Sequence, residues 1–373
     1  MRTAEALKKA AGVLYPEVDV VILDTFRYAS PLLEKVVIGA YMEMLKKTPT
    51  IYGYLYRQSE CGRPLSGRGK LEFNRILNAL AAPRLVEYVK DYRPDVIVCT
   101  HPFPLGIASR LKNKGIFRGQ LFASITDFTI HSFWVFPEVD YYLVGSEVLI
   151  PQCQEYGIGP ERVWATGIPI DTAFEKQYDK HRIKKQMGLD ADTPAILLMG
   201  GGLGMGPLEQ ALKILDNTRE QYQLIVVTGA NKALQEKLNK MVRHLTCKVK
   251  VFGFVDNIHH LMAASDFMVG KAGGLTCAEA AAMSLPVLII DPLPGQEERN
   301  TEFMAASGAG VRIGEKDLPQ AVQEYLAKPD KLAGMACSAS KIGKPEAAKD
   351  AIRIMVEAVN NSTRILSAGH KQP

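Results

Sequence analysis

The stretch from Asp266 to Asn300 constrains the fold of this chain more than any other part of its sequence. It opens with a short apolar run, Phe267–Val269, whose length and composition are typical of a buried strand. Gly273 and Gly274 follow this run, and glycine enters positive φ without a steric cost, so the chain can turn sharply there. The sequence therefore predicts a strand that leads into a glycine turn.

A helix and a second strand complete this unit. Thr276 and Glu279 have the spacing of a capping box, which predicts a helix that opens there and runs to about Met283. Pro286 is expected to end the helix, and the apolar run Val287–Ile290 predicts another buried strand. Strands that alternate with helices are typical of a parallel sheet.

The glycine turn of this unit is a candidate phosphate site. Backbone N–H groups at a helix N-terminus lack acceptors within the helix, and glycines let an anion approach them closely. Short glycine motifs are also common as simple tight turns, so the motif alone leaves both interpretations open. The loop after the second strand favours a ligand, because Gln296, Glu297 and Asn300 offer donors and acceptors to a polyhydroxylated molecule.

The segment GKAGGLTCAEAAAMSLPVLIIDPLPGQEERN, residues 270–300, resembles a known donor-site signature. The signature belongs to the glycosyltransferase family that contains monogalactosyldiacylglycerol synthases and processive diacylglycerol glucosyltransferases. The segment is similar, less closely, to the lipid II-forming GlcNAc transferase. The resemblance implies an α/β fold of the GT-B type, with two Rossmann-like doubly wound domains facing a cleft, and a UDP-sugar as co-substrate.

The resemblance also implies roles for individual residues. Glu279 is expected to hold the ribose diol, the backbone of the glycine turn the diphosphate, and Gln296 with Glu297 the sugar hydroxyls. The ring of Phe254 and the backbone of Val255 are expected at the uracil. The predicted donor-binding residues are Gly201, Gly202, Gly204, Phe254, Val255, Gly273, Gly274, Leu275, Thr276, Glu279, Gly295, Gln296, Glu297 and Asn300.

The glycines near position 200 form a second strand-to-helix turn. The run Gly200–Pro207 follows the predicted strand Ala195–Met199, and contact with phosphate or with the acceptor is expected there. The turn lacks the lysine and hydroxyl pair of a P-loop, and no acidic residue completes a dinucleotide fingerprint. These absences from the motif disfavour ATP and NAD as ligands.

The length of 373 residues predicts two domains. Strands alternate with helices in both halves, which predicts two parallel, doubly wound sheets, and Val18–Leu23 is expected to be an early strand. We place an acceptor-binding domain at residues 1–168 and a donor-binding domain at 169–345. The amphipathic helix within 346–373 packs back on the first domain in the resembling family.

Candidate catalytic residues follow the strands of the first domain. In a doubly wound sheet the residues just past strand ends line the ligand crevice, which predicts that His101, Asp127 and His131 share one cleft. A lone histidine is more often structural, but TDxxxHxxW also resembles a family motif, which implies that Asp127 and His131 lie near the acceptor. The Asp-x-Asp sequence at residues 190–192 falls in the predicted loop 188–193 and is not expected to hold a metal, so neither a metal nor another cofactor is expected. Two roles stay open for Lys271 and Arg299, electrostatic assistance to the departing UDP and an ordinary surface position, and the surface position is the expected one.

Between Lys46 and Arg75 the basic residues exceed the acidic ones by five, which equals the net charge of +5 of the whole chain. Tyrosines are interleaved with these charges, a pattern that favours a membrane-docking and acceptor-lipid region, although a solvated loop has the same composition. The candidate residues are Tyr52, Tyr54, Tyr56, Arg57, Arg63, Arg68 and Lys70. No nucleic-acid module surrounds the patch. No apolar run approaches the roughly 20 residues of a membrane span, and no signal peptide is evident, so we expect a cytoplasmic, peripherally membrane-associated protein.

The first residues of the chain bear on catalysis. A doubly wound domain opens with a strand, a glycine turn and then a helix, whereas Thr3–Leu7 already has the pattern of that helix. In the resembling enzymes a glycine-rich loop, ending in the His that is the proposed general base, precedes such an A-x-A-L stretch. We therefore expect weak transfer activity and a less stable first sheet, with Asp127 or His131 as the alternative base.

The resemblance implies an inverting glycosyltransferase that moves glucose or galactose from a UDP-sugar to diacylglycerol in glycolipid synthesis. The choice between the two sugars stays open, because epimers differ by one hydroxyl contact. The alternatives are a GlcNAc transferase to a polyprenyl-linked acceptor, a UDP-sugar epimerase on the same fold, and a catalytically impaired UDP-sugar-binding protein. The sequence PGQE at residues 294–297 favours the diacylglycerol family over the polyprenyl one.

Overall fold

The computed structural model describes residues 1–29, 83–202, 204, 207–216 and 221–369. These residues form two compact units, of which unit 1 comprises Met1–Thr172 with Glu346–Pro373 and unit 2 comprises Ala173–Pro345. The predicted membrane-docking residues, from Tyr52 to Lys70, lie outside the described part of the chain and stay a prediction.

Helices and strands alternate through both units. The helices are α1 (Arg2–Leu14), α2 (Thr25–Ala29), α3 (83–92), α4 (Pro102–Asn113), α5 (Leu149–Glu155), α6 (Lys180–Gln186), α7 (Leu208–Asp216), α8 (Lys232–Met241), α9 (Ile258–Ala263), α10 (Gly274–Ala282), α11 (Gln296–Ala306), α12 (Leu318–Ala327), α13 (Pro329–Ile342) and α14 (Ala347–Gly369). The strands are β1 (Val96–Cys99), β2 (Gln120–Ser124), β3 (Tyr141–Leu143), β4 (Val163–Trp164), β5 (Ala195–Met199), β6 (Gln223–Val227), β7 (Lys248–Phe252), β8 (Phe267–Gly270), β9 (Val287–Ile289) and β10 (Gly310–Arg312).

Unit 1 is built on a parallel sheet with the order β1-β2-β3-β4. Side chains of a strand point to alternate faces, so each strand contributes to two cores. Val96, Val98 and Phe122 pack with α1 and α14 on one face. Ile97 and Cys99 belong to the core on the other face, which contains residues of α3 and α4. The sheet is therefore covered by helices on both faces.

Unit 2 contains a parallel six-stranded sheet with the order β10-β9-β8-β5-β6-β7. The chain runs outward from β5 to β7, then returns to the other side of β5 and runs outward from β8 to β10. Crevices at such a reversal, outside the carboxyl ends of the strands, are where open α/β sheets bind ligands. The doubly wound parallel sheet predicted from the sequence is thereby confirmed.

Two local predictions are wrong. Residues 18–23 form no strand, because a strand needs a hydrogen-bonded neighbour and β1 pairs only with β2 among the described residues. The capping box is also absent, since α10 begins at Gly274 and its N-cap is Gly273, which has no side chain. Thr276 therefore lies inside the helix.

Candidate functional site

The reversal of strand order in unit 2 brings two glycine turns together. β5 and β8 are neighbours in register, with Met199 opposite Gly270, so the turns that follow them lie at the same edge of the sheet. A Cβ atom on Gly270 would overlap the carbonyl oxygen of Met199. Glycine at this position therefore permits the close approach of the two strands at the point where the crevice opens.

The N-terminus of α10 is free of side-chain competition. Its N-cap Gly273 makes no side-chain hydrogen bond, and its first turn contains no acidic residue. Within the described part of the chain, no backbone carbonyl accepts from the N–H groups of Gly274, Leu275 or Thr276. These donors and the positive end of the helix dipole form a suitable site for a phosphate or diphosphate.

Glu279 lies in the second turn of α10 and has 6% of its surface exposed. It is not part of the helix cap, so the capping role that its sequence position predicts is excluded. The position of Glu279 in the helix that follows the glycine turn is compatible with the predicted contact with a diol.

The turn after β5 divides into an open part and a packed part. Cβ atoms on Gly201 and Gly202 would meet only open space, although Gly201 has a φ of +71°. Gly204 also has a positive φ, but a Cβ there would overlap the carbonyl oxygen of Thr228. The structure therefore gives Gly204 a packing role and leaves the backbone at Gly201 and Gly202 accessible to a ligand.

The predicted uracil contacts follow the strand at the edge of the sheet. Phe254 comes after β7 and has 58% of its surface exposed, which is unusual for a large apolar side chain. Val255 is half-buried beside it. β7 and β5 are separated by β6, so these residues and the glycine turns share the carboxyl edge of the sheet.

Lys271 was expected at the surface, but it is buried, with 9% of its surface exposed. Its ammonium nitrogen lies 3.7 Å from a carboxylate oxygen of Asp291 and 4.0 Å from one of Glu297. The three residues follow β8 and β9, which are neighbouring strands. A residue directly past a strand end is a candidate for the crevice, and this signal was available in the sequence. Arg299 is exposed and paired with Glu302, as expected for a surface residue.

The loop that leads into α11 is held by hydrogen bonds from its backbone N–H groups to two carboxylate side chains. Glu297 accepts the N–H of Leu293 at 2.6 Å, and Glu298 accepts the N–H of Gly295 at 3.1 Å. Gly295 has a φ of +99° and a ψ of −119°, a conformation that only glycine adopts readily. Gln296 is half-buried at the first position of α11.

Asn300 joins this loop region to the glycine turn after β8. It is fully buried, and its side-chain amide donates a hydrogen bond to the carbonyl oxygen of Ala272 at 2.9 Å. This bond links α11 to the residue that precedes the glycine turn.

In unit 1 the structure distinguishes the two candidate catalytic residues. His131 has 4% of its surface exposed, and its ring lies against Phe133 and Trp134 at centroid distances of 5.7 and 6.4 Å. Asp127 is only half-buried. Both follow β2, which neighbours β1, so they share the carboxyl edge of the sheet with His101.

His101 has a structural role as the N-cap of α4. Its Nδ1 accepts the N–H of Phe103 at 3.3 Å, and its ring stacks on that of Phe103. Desolvation of the ring, followed by the nearby N-terminal ammonium group, lowers the pKa of His101 to about 4. The surface of His101 is largely accessible to solvent, which argues against strong desolvation. The hydrogen bond that Nδ1 accepts requires this nitrogen to be unprotonated, and it therefore supports a lowered pKa independently.

We expect the His101 ring to stay neutral down to about pH 4. Because its folded-state pKa lies below the unfolded value of about 6.5, its contribution to stability is present above pH 6.5 and is lost as the pH falls through 4. Titration of the ring resonances by NMR measures this pKa directly. His101→Asn, which keeps a capping side chain, assigns the resonances and removes the pH dependence. A midpoint near 6.5 in the folded protein contradicts the prediction.

Solved structures with a similar fold include glycosyltransferases and epimerases. MurG of Acinetobacter baumannii is 16% identical with a TM-score of 0.54, over 74% of this chain and 77% of that chain. The UDP-GlcNAc 2-epimerase of Neisseria meningitidis, solved with UDP-GlcNAc, is 14% identical with a TM-score of 0.56. The match covers 76% of this chain and 82% of that chain. With the two parallel sheets described above, these likenesses define an α/β protein of the GT-B fold class.

Comparisons of sequence narrow this class. The family model of monogalactosyldiacylglycerol (MGDG) synthase matches residues 1–170, and that of the glycosyltransferase family 28 C-terminal domain matches residues 195–352. The processive diacylglycerol beta-glucosyltransferase of Bacillus pumilus is 30% identical over 321 residues, 85% of this chain and 81% of that protein. Its counterpart in Bacillus subtilis is 30% identical over 316 residues, which cover 84% of this chain and 80% of that protein. The chain belongs to this glycosyltransferase family of monogalactosyldiacylglycerol synthases and processive diacylglycerol glucosyltransferases.

Proposed function

We propose that this chain transfers a hexose from a UDP-sugar to diacylglycerol or a related lipid, with inversion at the anomeric carbon. The observation that carries the proposal is the uncapped N-terminus of α10 at the strand-order reversal, next to a buried Glu279. The names of the relatives support glucose as the sugar and diacylglycerol as the acceptor.

The chemistry of this site suits departure of UDP. Negative charge grows on the diphosphate as the glycosidic bond breaks, and fixed N–H donors stabilise such charge without reorganisation. The N–H groups of Gly274, Leu275 and Thr276 are donors of this kind. The described residues hold no cluster of three or more His, Cys, Asp or Glu groups arranged for a metal ion, and transfer without a metal stays a prediction.

Transfer also needs a base for the acceptor hydroxyl. We propose Asp127 for this role in preference to His131, because its carboxylate is half-buried whereas His131 is buried among aromatic rings. Asp127→Asn is expected to lower kcat at least about 100-fold with little effect on UDP binding. Steady-state rates and calorimetry on the same samples measure both quantities. If His131→Gln lowers kcat about 100-fold while Asp127→Asn keeps its kcat, His131 is the base and the assignment is reversed.

Product analysis tests the reaction itself. The chain is incubated with diacylglycerol in vesicles and with UDP-glucose, UDP-galactose or UDP-GlcNAc, and lipids are separated by thin-layer chromatography. A glycolipid from UDP-glucose or UDP-galactose is the expected result. Conversion of UDP-GlcNAc without lipid indicates an epimerase, and transfer of GlcNAc to a polyprenyl phosphate indicates the other transferase. UDP binding without any product indicates a binding protein with impaired catalysis.

We further propose that the chain acts at the surface of an anionic membrane. No helix in the described ranges is long and apolar enough to cross a bilayer. Neutralising Arg57, Arg63, Arg68 and Lys70 together is expected to reduce binding to anionic vesicles markedly, since each basic residue near such a surface contributes about 1 kcal/mol. Added salt should imitate the substitutions, because it screens the same charges.

The control for this experiment removes the same charge elsewhere. Lys185, Lys232, Lys240 and Lys341 are exposed lysines of unit 2, and their neutralisation changes the net charge by the same amount. Vesicle co-sedimentation should fall for the arginine-rich set and not for the control set. Equal losses in both, or binding that ignores salt, contradict a localised docking region.

A further inference from the structure

The turn at residues 228–231, between β6 and α8, is bonded to the glycine turn that follows β5. β5 and β6 are neighbouring parallel strands, so both turns leave the sheet at its carboxyl edge. The N–H of Ala230 donates to the carbonyl oxygen of Gly202 at 3.0 Å. The side-chain amide of Asn231 donates to the carbonyl oxygen of Gly204 at 3.4 Å. Two carbonyl groups of the glycine turn are therefore held by the neighbouring turn.

The two turns lie too close together for a side chain between them. Gly229 has a φ of +56°, and a Cβ atom there would overlap the carbonyl oxygens of Gly201 and Gly202. In the other direction, a Cβ atom on Gly204 would overlap the carbonyl oxygen of Thr228. Conformation and spacing both require glycine at position 229. Because the two backbones are in direct contact, a displacement of residues 228–231 is passed to the glycine turn.

The same turn is also fixed to β7, the strand that leads to the predicted uracil contacts. Thr228 is fully buried, and both its N–H and its hydroxyl donate to the carbonyl oxygen of Phe252, at 2.9 and 3.2 Å. Phe252 is the last residue of β7 and lies two residues before Phe254. Residues 228–231 therefore join the glycine turn on one side to the strand before the predicted base contact on the other.

Asn231 combines two contacts that few side chains can make together. Its carbonyl oxygen accepts the N–H of Leu234 at 3.1 Å and so caps α8. This bond decides the orientation of the amide, whose NH2 group then faces Gly204. An aspartate at this position caps a helix equally well, but a carboxylate only accepts hydrogen bonds. The contact with the glycine turn, unlike the cap, therefore requires the amide.

We propose that residues 228–231 position the glycine turn for contact with the phosphates of the donor, with Gly229 and Asn231 as the positioning residues. This inference rests on the proposed function, because it takes the ligand to be a UDP-sugar. No atom of the described residues lies within 4 Å of the place where a Cβ would stand on Gly201 or Gly202, so the backbone is open to a ligand there. Glycines lose more conformational freedom on ordering than other residues, and a turn that is ordered before the ligand arrives does not lose it on binding.

The test compares two substitutions with a matched control. Gly229→Ala displaces the glycine turn, and Asn231→Asp keeps the cap of α8 while removing the amide donor. The control is Gly188→Ala, because Gly188 also has a positive φ, +66°, but a Cβ there makes only an ordinary contact with the ammonium nitrogen of Lys250 at 3.5 Å. The control therefore introduces a similar backbone strain in the same unit without the overlap.

Gly229→Ala and Asn231→Asp are each expected to weaken UDP binding by about tenfold or more in calorimetry, and the control should stay within about threefold of the parent chain. kcat/KM for UDP-glucose should fall by the same factor. Hydrogen exchange at the Ala230 amide should be about tenfold faster in Asn231→Asp, because its bond to Gly202 is loosened, with β10 as the unchanged reference. Urea unfolding shows that each sample is folded in the assay, and Asn231→Asp decides alone if Gly229→Ala does not fold.

The outcomes separate this inference from the proposed function. Faster exchange at Ala230 with unchanged UDP affinity overturns the inference, because the turn is then structural only. Unchanged exchange and affinity in Asn231→Asp, or an equal loss of affinity in Gly188→Ala, also overturns it. A parent chain that binds UDP but forms no glycolipid overturns the proposed function alone, since UDP affinity still tests the positioning. A parent chain that does not bind UDP overturns both.

Discussion

Glu279→Gln is expected to weaken UDP binding by about 10- to 150-fold. A charge-assisted hydrogen bond contributes about 1.5–3 kcal/mol, and the amide keeps the size of the side chain while removing its charge. Glu279 does not cap α10, so the variant does not lose the stabilisation that a helix cap provides. The residue is 6% exposed, and its side chain still contributes to packing. Isothermal calorimetry with UDP and with UDP-glucose measures the effect.

The control for this variant is Thr276→Ser. Thr276 lies in the first turn of α10, where the predicted ligand contact comes from the backbone N–H rather than from the side chain. The serine variant should therefore bind UDP within about threefold of the parent chain. Unchanged affinity in Glu279→Gln, with unchanged thermal stability, leaves Glu279 without a role at the nucleotide.

Lys271→Met is expected to weaken UDP-sugar binding by about 30-fold. Removing a buried cation beside a largely buried carboxylate costs about 2 kcal/mol, much of it because the remaining charge is left uncompensated. Here that charge is mainly Glu297, which lies 4.0 Å from the ammonium group with 20% of its side chain exposed, because Asp291 at 3.7 Å is 62% exposed and screened by solvent. Without the cation, two carboxylates lie beside the site proposed for an anionic diphosphate, and the loop that carries Glu297 loses an anchor.

A double-mutant cycle separates these two effects. Lys271→Met with Glu297→Gln removes the cation and one carboxylate together, so affinity should recover in part if repulsion is the main cost. Lys271→Arg keeps the charge and should retain most of the binding. Additive losses in the double variant show that Lys271 and Glu297 act independently, which contradicts the proposed coupling.

The sheet of unit 2 could be predicted from the sequence because its signals are local. β5 and β8 are apolar runs that end at glycines, and a fully buried parallel strand needs no other information. The start of α10 was less certain. Thr276 and Glu279 have the spacing of a cap, but the N-cap is set by the backbone, and the extended conformation of Gly273 moves the start of the helix three residues earlier than a Thr276 cap.

The errors concern residues whose surroundings come from distant parts of the chain. Lys271 is polar and follows an apolar run, so exposure is the ordinary expectation, and only the neighbouring strand β9 brings Asp291 within reach. Residues 18–23 have the composition of a strand, but pairing depends on the backbone that lies next to them. His131 shows the limit for function, since the motif places it after β2 but cannot show that aromatic rings enclose it.

Unit 1 is assembled from two separate parts of the chain, which affects how the protein emerges from the ribosome. Unit 2 is one continuous stretch, whereas one core of unit 1 contains Ala348, Ile352 and Met355 from α14 as well as Ala6 and Leu7 from α1. A nascent chain can therefore finish folding unit 2 before it holds the residues that close this core. Until α14 is synthesised, the apolar faces of α1 and β1 stay uncovered, and they are where we expect a chaperone to bind during synthesis.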